Sequence, residues 1–177
     1  MINTKCIKVF AISILAFFIF TQSKSEVKVA FVEMDKIIRE SLVGKDLIKK
    51  LDEADTKNQK FFTEKQKKLK LKKDKISSQK NILSKEEYEK NVIAINKEYE
   101  LFKNEGNKKI NSLKSKRNTA MKKIFDELNP ILSEYSNKNE LTFIMDQKNI
   151  IIGQTDLNIT SEIIKILNLK IKKISMN

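Results

Sequence analysis

Histidine and tryptophan are absent from this 177-residue chain, and cysteine and proline occur once each. Without histidine the chain lacks the side chain that most often serves as general base and metal ligand near neutral pH, and no Ser, His and Asp set can form. The one cysteine, Cys6, lies in the first 25 residues, so disulfide and zinc frameworks are excluded for everything after them. Glycine is scarce as well, with three residues. Across residues 35–129 there is no proline and the only glycines are Gly44 and Gly106, so little in that stretch forces a helix to stop.

Charge fills the space: 33% of the residues are Asp, Glu, Lys or Arg, a composition of long solvated helices and not of one large core. Lys5 and Lys8 precede a 12-residue apolar run, residues 9–20, and Ser23 and Ser25 offer small side chains at a cleavage site. Residues 1–25 therefore read as a signal peptide cleaved after Ser25, and in a bacterial cell the destination is the periplasm. An uncleaved anchor is the rival reading, although 12 apolar residues fall short of the ~20 that span a bilayer. Cleavage removes three lysines and no acid, leaving 33 basic against 23 acidic residues, a net charge of +10. Such a charge attracts nucleic acid, an anionic lipid or membrane surface, or acidic protein. The export signal makes nucleic acid the partner least expected.

Ser84 followed by Glu87 forms the pattern of a capping box, so a new helix starts there. Residues 35–80 and 85–129 then make two arms of 46 and 45 residues, each roughly 70 Å long at ~1.5 Å per residue. The spacing predicts a long antiparallel helical hairpin with its tip near residues 81–84. In the second arm Tyr88, Val92, Ile95, Tyr99, Phe102, Gly106, Leu113 and Ala120 follow steps of four and three, with Lys109 and Lys116 in the missing places, which is a heptad seam with polar interruptions. Gly106 is either a place where the partner helix comes close or a hinge. In the first arm the apolar residues thin out after Leu51, so packing is expected to weaken toward the tip.

Around the hairpin, residues 27–33 read as a strand, residues 141–145 as a second, residues 146–149 as a tight turn and residues 150–152 as a third strand. Pro130 is expected to end or kink the second arm, with residues 131–136 restarting as a short helix. A final amphipathic helix presents Ile163, Ile164, Ile166, Leu167 and Leu169. The first strand is expected to pair with the other two, in a mainly α chain with a small β platform (α+β). The body comprises residues 26–34 and 130–177, and the arm residues 35–129. So small a sheet leaves edges open, and self-association is the ordinary remedy. Val27, Val29, Phe31, Leu141, Phe143, Met145 and Ile151 are assigned to the oligomerising strands.

Chemistry of the enzymatic kind is not expected. Gly44-Lys45 ends like a phosphate-binding loop, but Arg39 stands where its first glycine is needed and Asp46 where a serine or threonine should bind magnesium. Adjacent carboxylates such as Glu86-Glu87 and Asp52-Glu53 diverge on a helix and read as solvated faces. No cofactor or metal follows. The lysines are a different matter: residues 65–80 hold eight against Asp74 alone, and residues 108–123 hold seven basic residues and no acid. If the hairpin closes at Ser84, facing residues sum to about 165, which sets the first cluster opposite Glu86, Glu87, Glu89, Glu98 and Glu100. Part of the charge is thereby met.

Val27-Lys28-Val29-Ala30-Phe31-Val32 followed by Asp35, Glu40-Ser41-Leu42-Val43-Gly44-Lys45, Leu83-Ser84-Lys85-Glu86-Glu87, Asn129-Pro130-Ile131-Leu132, Leu141-Thr142-Phe143-Ile144-Met145-Asp146 and Asp156-Leu157-Asn158-Ile159-Thr160 occur in that order. In their order and spacing they resemble the Skp (OmpH-like) family of periplasmic chaperones across essentially the whole mature chain. The resemblance implies a homotrimer whose strands build a body and whose hairpins hang as tentacles around a cavity. There, unfolded outer-membrane β-barrel proteins are held without ATP. This chain departs from the pattern in a tip poor in apolar residues and rich in lysine. The candidates for meeting a client are Phe61, Phe62, Lys67, Lys68, Leu69, Leu71, Lys72 and Lys73. A coiled-coil spacer or anchor of the cell envelope, and a histone-like nucleic-acid binder, are the competing readings.

Overall fold

A computed structural model describes residues 26–176, so the expected signal peptide with Cys6 lies outside the described residues. In chain order the elements are β1 (Val29–Val32), α1 (Met34–Glu40), α2 (Leu42–Ser78), α3 (Lys85–Lys138), β2 (Phe143–Asp146), two 3-10 turns (Gln147–Asn149 and Thr155–Leu157) and α4 (Thr160–Lys170). α2 and α3 form the long antiparallel hairpin, and the remaining elements make a small body at its root. The fold class is the expected one.

β1 and β2 pair in parallel, with Val29 opposite Phe143 and Val32 opposite Asp146. Parallel neighbours need a crossover, and here the crossover is the entire hairpin. The other edge of β1 is not open: Ile159 N–H donates to the Phe31 carbonyl at 3.0 Å, Phe31 bridges Asn158, and Glu33 N–H donates to Thr160 Oγ1 at 2.8 Å. Residues 158–160 thus cover the strand edge. The expected third strand at residues 150–152 does not form. Ile151 and Ile152 are 99% and 90% exposed, and among the described residues no strand lies beside them to complete a ladder. Val27 and Leu141 also fall just outside β1 and β2. Phe31, assigned to an oligomerising face, is buried within its own chain, because residues on both faces of β1 are covered.

The first arm is broken where continuity was expected. At Ser41 the backbone turns extended, and the Ser41 side chain accepts from Gly44 N–H to start α2 afresh. Asn168 of α4 assists by accepting from Leu42 N–H at 2.7 Å. The turn needs glycine at 44: a Cβ there would stand 1.6 Å from the Ile38 carbonyl oxygen. Conversely, α3 runs through Pro130 without a break, as one helix of 54 residues. A proline inside a helix costs ~3 kcal/mol. Ile124, Leu128 and Ile131, on one stripe around it, are all buried, and each such burial contributes roughly 1.5–3 kcal/mol. Ending the helix at Pro130 would withdraw part of that stripe, so continuation of the helix is favoured.

One apolar cluster gathers Ala30 and Val32 of β1, Ile37 of α1, Val43 and Leu47 of α2, Ala120, Ile124, Leu128 and Ile131 of α3, and Ile163 and Leu167 of α4. The division expected near residues 34 and 130 therefore falls inside a packed core, and the free arm begins only after Leu51 and ends before Ala120. On α4 the buried apolar positions are Ile163 and Leu167, while Ile166 and Leu169 face outward. Residues 171–176 leave α4 and cross back over the hairpin root, where Ile174 joins the same cluster.

Two charged contacts tie the body across large sequence separations, Lys28 to Glu140 at 2.7 Å and Lys148 to Asp35 at 2.9 Å, and within α2 Lys50 pairs with Asp46 one turn away at 2.7 Å. The hydrogen bonds from Lys148, Lys50 and Lys28 hold Asp35, Asp46 and Glu140 below the ordinary carboxylate range, the Ile174 N–H adding to the effect at Asp46. A carboxylate with a lowered folded-state pKa contributes stability that is present above its ordinary pKa and lost as pH falls through the lowered one. Thermal stability is expected to hold from neutral pH to about pH 4 and then fall, with a smaller fall in Asp46→Asn. A fall of unchanged size in that variant would contradict the role given to Asp46. Gly44→Ala is expected to cost about 1–3 kcal/mol by overpacking, read as a lower urea midpoint; an unchanged midpoint would show that the α1–α2 junction can open freely.

Candidate functional site

The arm is the surface the sequence singles out, and its geometry follows from the seam. The capping box at the tip is formed: Ser84 Oγ accepts from Glu87 N–H at 3.2 Å, and the Glu87 carboxylate accepts from Ser84 N–H at 3.4 Å. The seam positions Tyr88, Val92, Tyr99, Phe102, Gly106, Lys109 and Leu113 are half-buried, and Ile95 and Ala120 are buried. Lys116 alone among the expected positions is exposed.

Facing residues sum to 164–170, close to the expected register. Phe62 meets Phe102 edge-on, with ring centroids 6.1 Å apart, and Phe61 meets Phe62 in the same manner at 5.5 Å. Gly106 is where this cluster needs room, since a Cβ there would lie 3.3 Å from the Phe62 ring. Close approach is therefore the reason for glycine, and α3 runs unbroken through it. Lys109, at a seam position, places its ammonium 4.4 Å from the centre of the Phe61 ring; the ring face attracts the cation and lets the charge sit in the seam. Lys72 pairs with Glu98 at 2.8 Å, so one of the expected glutamates meets part of the basic cluster, and Lys65 pairs at 3.7 Å with Glu105, which lies beyond the segment expected to face it. These pairs are exposed, and each contributes at most ~1 kcal/mol.

Packing does not thin steadily toward the tip. Leu69 is 2% exposed and Ile95 5%, well beyond the aromatic cluster. The weakest part is midway, where Ala54 and Asn58 on α2 face Lys109, Leu113 and Lys116 on α3. Open grooves of about 350 and 400 Å³ flank the seam there. Short and charged side chains at these positions cannot fill the space between two helices.

The candidate residues are divided by this arrangement. Phe61 and Phe62 are half-buried in the seam, Leu69 is fully buried and so is corrected from a binding to a packing residue, and Lys72 is engaged with Glu98. Lys67, Lys68 and Lys73 are exposed, and Leu71 is 60% exposed. Ile82, Ile93, Leu101 and Ile110 are exposed apolar residues that the sequence reading did not name. The signal was present: Ile93, Leu101 and Ile110 stand off the heptad positions and therefore cannot face the partner arm. Among the described residues no group of His, Cys, Asp and Glu could hold a metal ion, and no helix is long and apolar enough to cross a membrane.

The family model described as outer membrane protein (OmpH-like) matches residues 28–167. Among solved structures, a candidate outer membrane chaperone (OmpH-like) from Caulobacter crescentus CB15 superposes with a TM-score of 0.77 at 15% identity, over 88% of this chain and 92% of that one. At that identity the likeness concerns the fold. No match is found among curated protein sequences.

Gly106→Ala tests the seam. Alanine gains about 1 kcal/mol of helix propensity, and the Phe62 ring must yield by a few tenths of an ångström. A slight rise in helicity by circular dichroism is expected; unchanged or lower helicity would contradict the view that this glycine weakens the arm.

Proposed function

We propose, from the premise that the chain belongs to the outer membrane protein (OmpH-like) family, that it is an ATP-independent periplasmic holdase that keeps unfolded outer-membrane β-barrel proteins from aggregating. The family and the fold support a chaperone-type role. The observation that carries the finer reading is the surface of the arm, where single apolar side chains, Leu71, Ile93, Leu101 and Ile110, stand exposed among lysines. A barrel precursor exposes strands that are apolar on alternate residues and prone to pair with one another in water. Dispersed apolar contacts suit such a client, because each is weak and many together are not. The lysines draw acidic segments or an anionic membrane surface toward the arms.

The same reading includes a homotrimer. Ile151 and Ile152 on the body are almost fully exposed, with Phe143 and Val27 also outward, and among the described residues β2 has a strand partner on one edge only. Apolar exposure together with an open strand edge favours a second copy as the cover.

The test is to dilute an unfolded β-barrel protein from urea into increasing amounts of the mature protein and follow light scattering. Suppression saturating at one trimer per client is expected. No suppression at any ratio overturns the proposal.

A further inference from the structure

The family match ends at residue 167 and α4 at Lys170, yet the chain continues in a non-helical segment that lies across the root of both arms. We propose that residues 171–176 are a clasp that ties the roots of α2 and α3 together, so that the arms open below Leu51 and Ala120 and not at the body.

The segment is gripped from two helices. On α2, Asp46 accepts from Ile174 N–H at 3.0 Å, and Lys50 donates to the Ile174 carbonyl at 2.6 Å while also pairing with Asp46. On α3, Lys123 donates to the Ser175 carbonyl at 3.4 Å. Between these grips the Ile174 side chain is buried in the cluster that includes Val43, Leu47, Ala120 and Ile124, and Ile171 and Met176 pack at its border. Main-chain groups held by polar side chains, with one apolar residue seated below, is the manner in which an extended peptide is fixed in a groove. The charged grips are partly solvated and contribute little alone. Ile174 is the anchor, and the grips set its register.

The position of the clasp decides which part of the arm moves. At the root each helix has a third element against it, whereas below Leu51, among the described residues, each has only the other. The grooves beside Asn58 and Leu113 begin there. With the clasp closed, the root is the stiff end of the arm and the polar middle of the seam is where it can yield.

Amide hydrogen exchange on the mature protein, on a truncation ending at Lys170 and on Ile174→Ser tests this. Ile174→Ser keeps the chain length and carries the test alone should the truncation fail to fold. Both variants are expected to exchange roughly ten- to a hundredfold faster at residues 43–51 and 120–128, with residues 95–102 unchanged. Unchanged exchange at the roots overturns the proposal. A uniform rise through body and arm overturns it equally, since the segment would then be one more part of the global core.

Discussion

Two helices alone bury only a narrow stripe on each other, and over the roughly 55 Å of α2 that stripe cannot hold them in register unaided. The apolar cluster at the root supplies what they lack. Val43 and Leu47 of α2 and Ala120, Ile124 and Leu128 of α3 meet there among residues of β1, α1 and α4, so both arms leave the body with fixed direction. The continuity of α3 through Pro130, the glycine at 44 and the docking of residues 158–160 on β1 all serve this meeting. Each would be unexplained as a local preference; together they hold one core closed.

Away from the root the seam changes character in steps. The aromatic group of Phe61, Phe62 and Phe102 forms one packed island and the buried Leu69 and Ile95 mark another, with the polar stretch around Asn58 and Lys116 lying between the root and the first island. Such an arm is not uniformly soft. It is a series of stiff segments separated by a place where few apolar atoms would be lost on opening.

The sequence made legible what depends on neighbours in the chain. The capping box at Ser84 needs only residues three apart, and the seam needs only a repeat of four and three, so tip and register follow from α3 by itself; the outward-facing Ile93 and Ile110 were implied by the same repeat and went unnamed. The features that escaped depend on residues far away. The break at Ser41 is completed by Asn168, and its glycine is required by the Ile38 carbonyl. The failure of Pro130 to end α3 depends on what buries Ile131. Residues 150–152 have strand composition, but a strand needs a neighbour, and among the described residues none is there. Residues 171–176 carry no local signal, since Asp46 and Lys50 lie more than 120 positions away.

On the proposed reading, magnitudes favour several arms over one. Covering the exposed Leu71, Ile93, Leu101 and Ile110 of a single arm completely would contribute roughly 1.5–3 kcal/mol for each side chain. Association and ordering of a flexible client cost on the order of 4–15 kcal/mol. One arm therefore does little better than break even. Once a client is held by one arm, contacts from a second and third need not meet the full cost again, because they act at high effective concentration. Binding then becomes firm only when several arms engage, and it is undone when one or two let go. That dependence supplies grip and release without nucleotide hydrolysis, and it requires the arm surface to remain sparse in apolar residues.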